Sequence, residues 1–160
     1  MKRYTEKIDA VKNYIECLQI LHAENILTNK KDFTCQIGEW LVETLYDGKR
    51  AISGIQKGWD VDVNGRHIQV KTHAKAEHNT NRWSAVDKES TEVIDELIII
   101  VFSFDYKLKE FYKIPWENAV ERIRSRGAKK PRFEINWSSV KDYKIEIKAL
   151  PKQELISFFL

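Results

Sequence analysis

A chain of 160 residues with 42% hydrophobic and 32% charged residues is long enough for one packed core and too apolar to be disordered. The longest apolar run, Leu97 to Phe102, is far too short to span a bilayer, and the N-terminal "MKRYTEK" lacks the apolar stretch of a secretory leader. A net charge of +3 permits a polyanionic partner without requiring one, and the expected setting is the cytoplasm, with no membrane segment.

Residues 4–27 have the spacing of an amphipathic helix, with Ile8, Val11, Ile15, Leu18 and Leu21 at three- and four-residue steps. A second helix is predicted from a cap at Asp32 to Tyr46. It is apolar on nearly all sides: Ile37, Trp40, Leu41 and Leu45 form one stripe, and Cys35, Gly38, Val42 and Tyr46 a second. Glu39 lies within the second stripe and is therefore expected to be partly buried, in need of a cation or a hydrogen-bond partner. Gly38 costs about 1 kcal/mol relative to alanine in mid-helix, which close approach of helix to sheet would explain. The two cysteines, Cys17 and Cys35, have no metal-motif spacing and are expected to be small buried hydrophobes.

"GWDVDVNGRHIQVKT", residues 58–72, is a hairpin around Asn64-Gly65, the strongest two-residue turn signal. A two-residue turn pairs Val63 with Arg66, Asp62 with His67, Val61 with Ile68, Asp60 with Gln69 and Trp59 with Val70. Trp59, Val61, Val63, Ile68 and Val70 then face the core. Asp60, Asp62, His67, Gln69 and Lys71 share the other face. A solvated polar face is the plain reading of that set. Asp60 and Gln69 would form a non-hydrogen-bonded pair with Cα atoms about 4.5 Å apart.

A polar stretch, 74–92, follows. Glu96–Phe104 and Lys107–Ile114 read as strands, the first an unbroken apolar run expected of a strand covered on both faces. A helix begins at Ile114-Pro115 and is expected to run to Gly127, with Arg122 and Arg126 on one face. Residues 128–132 read as a loop, 139–147 as a strand and 151–160 as a short helix. The pattern predicts an α/β fold with a central mixed sheet flanked by helices, in one domain spanning 1–160.

"GEWLVETLYDGKRA", then "GWD", then "QVKT" resembles the PD-(D/E)XK nuclease superfamily over about residues 33–114. The resemblance implies a restriction-endonuclease-like core, with an extra N-terminal helix before it and an extension over 115–160. It also implies catalytic roles for Glu39, Asp60, Gln69 and Lys71. Mg²⁺, or Mn²⁺, would be held by Asp60, Gln69, the Val70 carbonyl and Glu39, and DNA would be the substrate. Gln69 departs from the usual acid, a substitution found in an active subset of the family. The chemistry agrees with these residue types, since Mg²⁺ takes oxygen ligands and a lysine can orient water and offset phosphate charge. His67, His73 and His78 fit no zinc spacing. His73, Lys75, Arg82, Trp83, Arg122, Arg126, Lys129 and Lys130 are candidates for nucleic-acid contact. Cutting both strands of a duplex takes two active sites, so a homodimer is expected. The alternative is a non-catalytic nucleic-acid-binding or interaction domain on the same fold.

Overall fold

A computed structural model describes residues 2–28, 32–51, 58–74, 82–86, 88, 93–127 and 132–160. The expected Lys75, Lys129, Lys130 and His78 lie outside the described residues. The fold is mixed α/β. Helix α1 (Lys2–Ala23) is followed by α2 (Phe33–Leu45), and strand β1 (Lys49–Arg50) precedes a hairpin of β2 (Val61–Val63) and β3 (Arg66–Ala74). Then come β4 (Trp83–Ala85), β5 (Glu96–Phe102), β6 (Leu108–Pro115) and α3 (Trp116–Arg122). Strands β7 (Arg124–Arg126), β8 (Arg132–Asn136) and β9 (Lys144–Ile145) and helix α4 (Gln153–Phe158) complete the order. The main sheet has the order β1-β2-β3-β5-β6-β9, with β3 and β5 parallel and the other pairs antiparallel.

β5 is the axis of the molecule. Its alternating side chains supply two cores, and every residue from Leu97 to Phe102 is fully buried. Ile98, Ile100 and Phe102 pack beneath α2 and α4 with Leu41, Val42 and Phe159. Leu97, Ile99 and Val101 pack on the opposite face with Ala119, Ile135 and Trp137. Asp32 caps α2 as predicted, its carboxylate accepting from the Cys35 N–H at 3.1 Å.

Three expectations change. The helix begun at residue 116 stops at Arg122, because buried Ile123 turns extended and Arg124–Arg126 pairs with β8. Arg122 and Arg126 therefore do not share a helix face. The strand expected over 139–147 is largely a 3₁₀ segment, Trp137–Tyr143, capped by Asn136, with only Lys144–Ile145 extended. A second sheet, of order β4-β8-β7, was not foreseen.

Helix α1 also differs from expectation. The first half of its apolar stripe is uncovered among the described residues, with Val11 58% and Ile15 48% exposed, while Leu18 and Leu21 are half-buried. Cys17, expected to be buried, is exposed on the same helix. No helix of the described residues is long and apolar enough to cross a membrane.

Candidate metal and catalytic site

The Asn-Gly turn sets the register predicted for Val63↔Arg66, Asp62↔His67 and Val61↔Ile68. Beyond that the ladder breaks. The Asp60 N–H donates to the Ile68 carbonyl at 2.8 Å, so Asp60 and Val61 both lie against Ile68, in the manner of a β-bulge. Asp60 therefore does not stand opposite Gln69. Its carboxylate instead accepts from the Val70 N–H at 2.9 Å, taking the place of the missing strand. The Val70 carbonyl points to the same side of β3 as its N–H. The extra residue also shifts Trp59 off the predicted core face and onto His67, ring over ring at 4.5 Å and 7°.

Helix α2 crosses above this break. A Cβ on Gly38 would lie 1.8 Å from Thr72 Oγ1, so the glycine lets the helix backbone rest on β3. Glu39, the next residue, is 6% exposed. Glu39, Asp60, Val70 and Lys71 line one cleft of about 320 Å³, together with Cys35, Thr72, His73 and Ala85. Three separate segments thus bring four of the predicted residues to one place. Gln69 is not on that lining. It is 3% exposed, its Nε2 donates to the Gly58 carbonyl at 2.8 Å, and its Oε1 is buried with no hydrogen-bond partner among the described residues.

The charges in the cleft act on their neighbours. Burial, followed by the Asp32 carboxylate, pushes the Cys35 thiol up to about 12, with Glu39 adding to the shift and Lys71 opposing it. The thiol is therefore protonated and donates to the Asp32 carboxylate at 3.1 Å. His73 is pulled down to about 4 by burial and then by the Lys71 ammonium. Its Nε2 lies 2.8 Å from Ser84 Oγ, which also accepts from Trp137 Nε1 at 2.9 Å.

This arrangement fixes a sign for acid sensitivity. The unfolded His73 titrates near 6.5 and the folded one near 4, so the unfolded chain binds the extra proton in between. Stability present above pH 6.5 is expected to fall as pH drops toward 4. Urea midpoints across that window should slope in the wild type and flatten in His73→Asn. Equal slopes in the two proteins would mean that His73 is not held neutral.

The remaining candidates divide. Asp62 serves the hairpin, accepting from the Gly65 N–H at 3.0 Å and standing 3.6 Å from His67 Nε2. Glu43 pairs with Arg50 at 2.7 Å. Arg82, expected to meet nucleic acid, is held by Glu110 at 2.7 Å and lies over the Trp137 ring. Arg122 donates to the Ser139 and Asn118 carbonyls and stacks on Tyr143. Arg126 pairs with Glu134 at 3.2 Å yet stays exposed. Trp83 is half-buried on β4, and His73 alone of this group lines the cleft. Ser84 and Trp137, which anchor His73, carried no local signal, being 53 residues apart in sequence.

Two carboxylates line the cleft, and among the described residues no three His, Cys, Asp or Glu side chains are grouped to hold a metal ion. Val70, with its carbonyl, and Thr72, whose Oγ1 is buried without a hydrogen-bond partner among the described residues, add oxygens to the lining; Gln69 Oε1 is not on it. Such a donor set fits a hard cation that binds through one or two carboxylates and keeps waters, as Mg²⁺ does. No known protein family matches the sequence, and no curated protein matches it.

Proposed function

We propose that the chain is a metal-dependent nuclease that acts on DNA in the cytoplasm, built on a restriction-endonuclease-like core of α2, β2, β3, β5 and β6. One observation carries this reading: Glu39, Asp60, Val70 and Lys71 line a single cleft although three segments supply them. Asp60, Glu39 and the Val70 carbonyl would hold one Mg²⁺, or Mn²⁺, without Gln69, which lies off the lining. When bound, the cation would lower the pKa of a water and offset charge on the phosphate.

The chain's own residues do the rest. The Val70 N–H orients the Asp60 carboxylate. Lys71 carries its charge into the cleft, where it positions the attacking water and balances the phosphate. His73, neutral beneath it, adds no competing positive charge. The test is cleavage of supercoiled plasmid and of linear, branched and single-stranded DNA with Mg²⁺ or Mn²⁺, beside the same reactions in EDTA. Failure to cut any of them would sink the proposal.

Cutting both strands of a duplex takes two centres, so the reading includes a homodimer, with the uncovered stripe of α1 as its contact. Light scattering should give twice the chain mass, and Ile15→Glu should halve it. A wild-type monomer at assay concentration would remove this part.

A second reading has its own observation. Gln69 turns its amide nitrogen to Gly58 and does not line the cleft. A retired site that only binds nucleic acid would hold DNA equally well in EDTA and gain no thermal stability from Mg²⁺.

A further inference from the structure

The cleft continues beyond the candidate metal site. A second hollow, of about 400 Å³, is lined by Lys71, Ala85, Val86, Arg132 and Phe133. It shares Lys71 and Ala85 with the first, so the two form one groove. The construction is clear from the bonds beneath it. The His73–Ser84–Trp137 set clips β4 to β3 on the Lys71 face. The Val86 N–H then donates to the Phe133 carbonyl at 3.0 Å, which places β8 along the groove's far side. Cations stand at both ends, Lys71 and exposed Arg132, and among the described residues no carboxylate lines the second hollow. Half-buried Phe133, which follows Arg132 in β8, also lines the hollow.

We infer that this groove binds one strand of DNA running away from the candidate metal site, with a phosphate on Arg132 and a base against Phe133. The inference rests on the nuclease reading for the identity of its ligand and adds a strand path to it. Each hollow has the volume of a small-molecule site, about 300 Å³ or more, which suits a nucleotide and not a duplex. A cation for phosphate beside an aromatic face is the means by which single strands are held without sequence preference. The arginines that the sequence singled out are engaged elsewhere: Arg82 with Glu110 and Arg122 with backbone carbonyls.

The test is anisotropy of a fluorescein-labelled twelve-nucleotide oligo(dT) on the full chain in EDTA, where no hydrolysis intervenes. Arg132→Ala should weaken binding about fivefold and reduce the salt slope by about 0.7. Phe133→Leu, which keeps an apolar group against the core, should weaken it about tenfold. Arg124→Ala removes an exposed arginine outside the groove and should change binding less than about twofold. Equal losses for Arg124→Ala and Arg132→Ala would overturn the inference, as would a wild type that binds no oligonucleotide. A protein that binds through Arg132 and cuts nothing would keep the strand path and drop the nuclease reading. A protein that cuts DNA with Arg132→Ala at wild-type affinity would do the reverse.

Discussion

Asp60→Asn is expected to lower plasmid cleavage in Mg²⁺ by at least about a hundredfold while leaving the melting temperature near that of the wild type. The asparagine keeps the shape of the side chain and an oxygen that accepts from the Val70 N–H, so the broken ladder stays capped. What it loses is the charge proposed to hold a cation. The rise in melting temperature on adding Mg²⁺ should vanish with it. Asp60→Ala differs in kind. It leaves the Val70 N–H without its acceptor, which costs about 1–3 kcal/mol when such a group is buried, so its loss of activity would be mixed with a loss of stability. Lys71→Met, which keeps the apolar stem, should match Asp60→Asn in cleavage. An Asp60→Asn protein that cuts at the wild-type rate would reduce the carboxylate to a strand cap.

Gly38→Ala is expected to destabilise the fold by about 2 kcal/mol net, or roughly 6 °C in melting temperature. Helix propensity alone argues the other way, favouring alanine by about 1 kcal/mol. The contact decides the sign. The new Cβ would meet Thr72 Oγ1 at 1.8 Å and Thr72 Cβ at 2.8 Å, so α2 must lift off β3. Glu39 follows Gly38 directly and moves with the helix, so cleavage should fall more than stability does. Thr72→Ala in the same chain removes the nearest atom and should restore part of both. A Gly38→Ala protein that melts with the wild type would mean that helix and strand do not touch there.

The reach of the sequence can be judged residue by residue. Asn64-Gly65 determined three pairs of the hairpin because turn geometry is local. It misplaced Asp60 and Trp59 because a bulge is set by what the next segments need, here an acceptor for the Val70 N–H. The apolar run at 97–102 was readable as a doubly covered strand from composition alone. The sheet of β4, β8 and β7 was not. Trp83-Ser84-Ala85 is too short to show alternation, and its partners lie about fifty residues on. Among the candidate site residues, Glu39, Asp60, Val70 and Lys71 were singled out through the family resemblance, and they line one cleft. Arg82 and Arg122 read as surface charges because neither Glu110 nor the Ser139 carbonyl is near them in sequence.

The broken ladder has a consequence for self-association. Among the described residues β2 covers β3 only as far as Ile68, although β3 continues to Ala74. A bare edge of an apolar strand invites a strand from another molecule to add to it. Here the Asp60 carboxylate already holds the Val70 N–H, and Lys71 is the next residue along. An incoming strand would have to displace the first and desolvate the second. The two charges proposed to hold the cation and the phosphate thus also guard the gap that admits them.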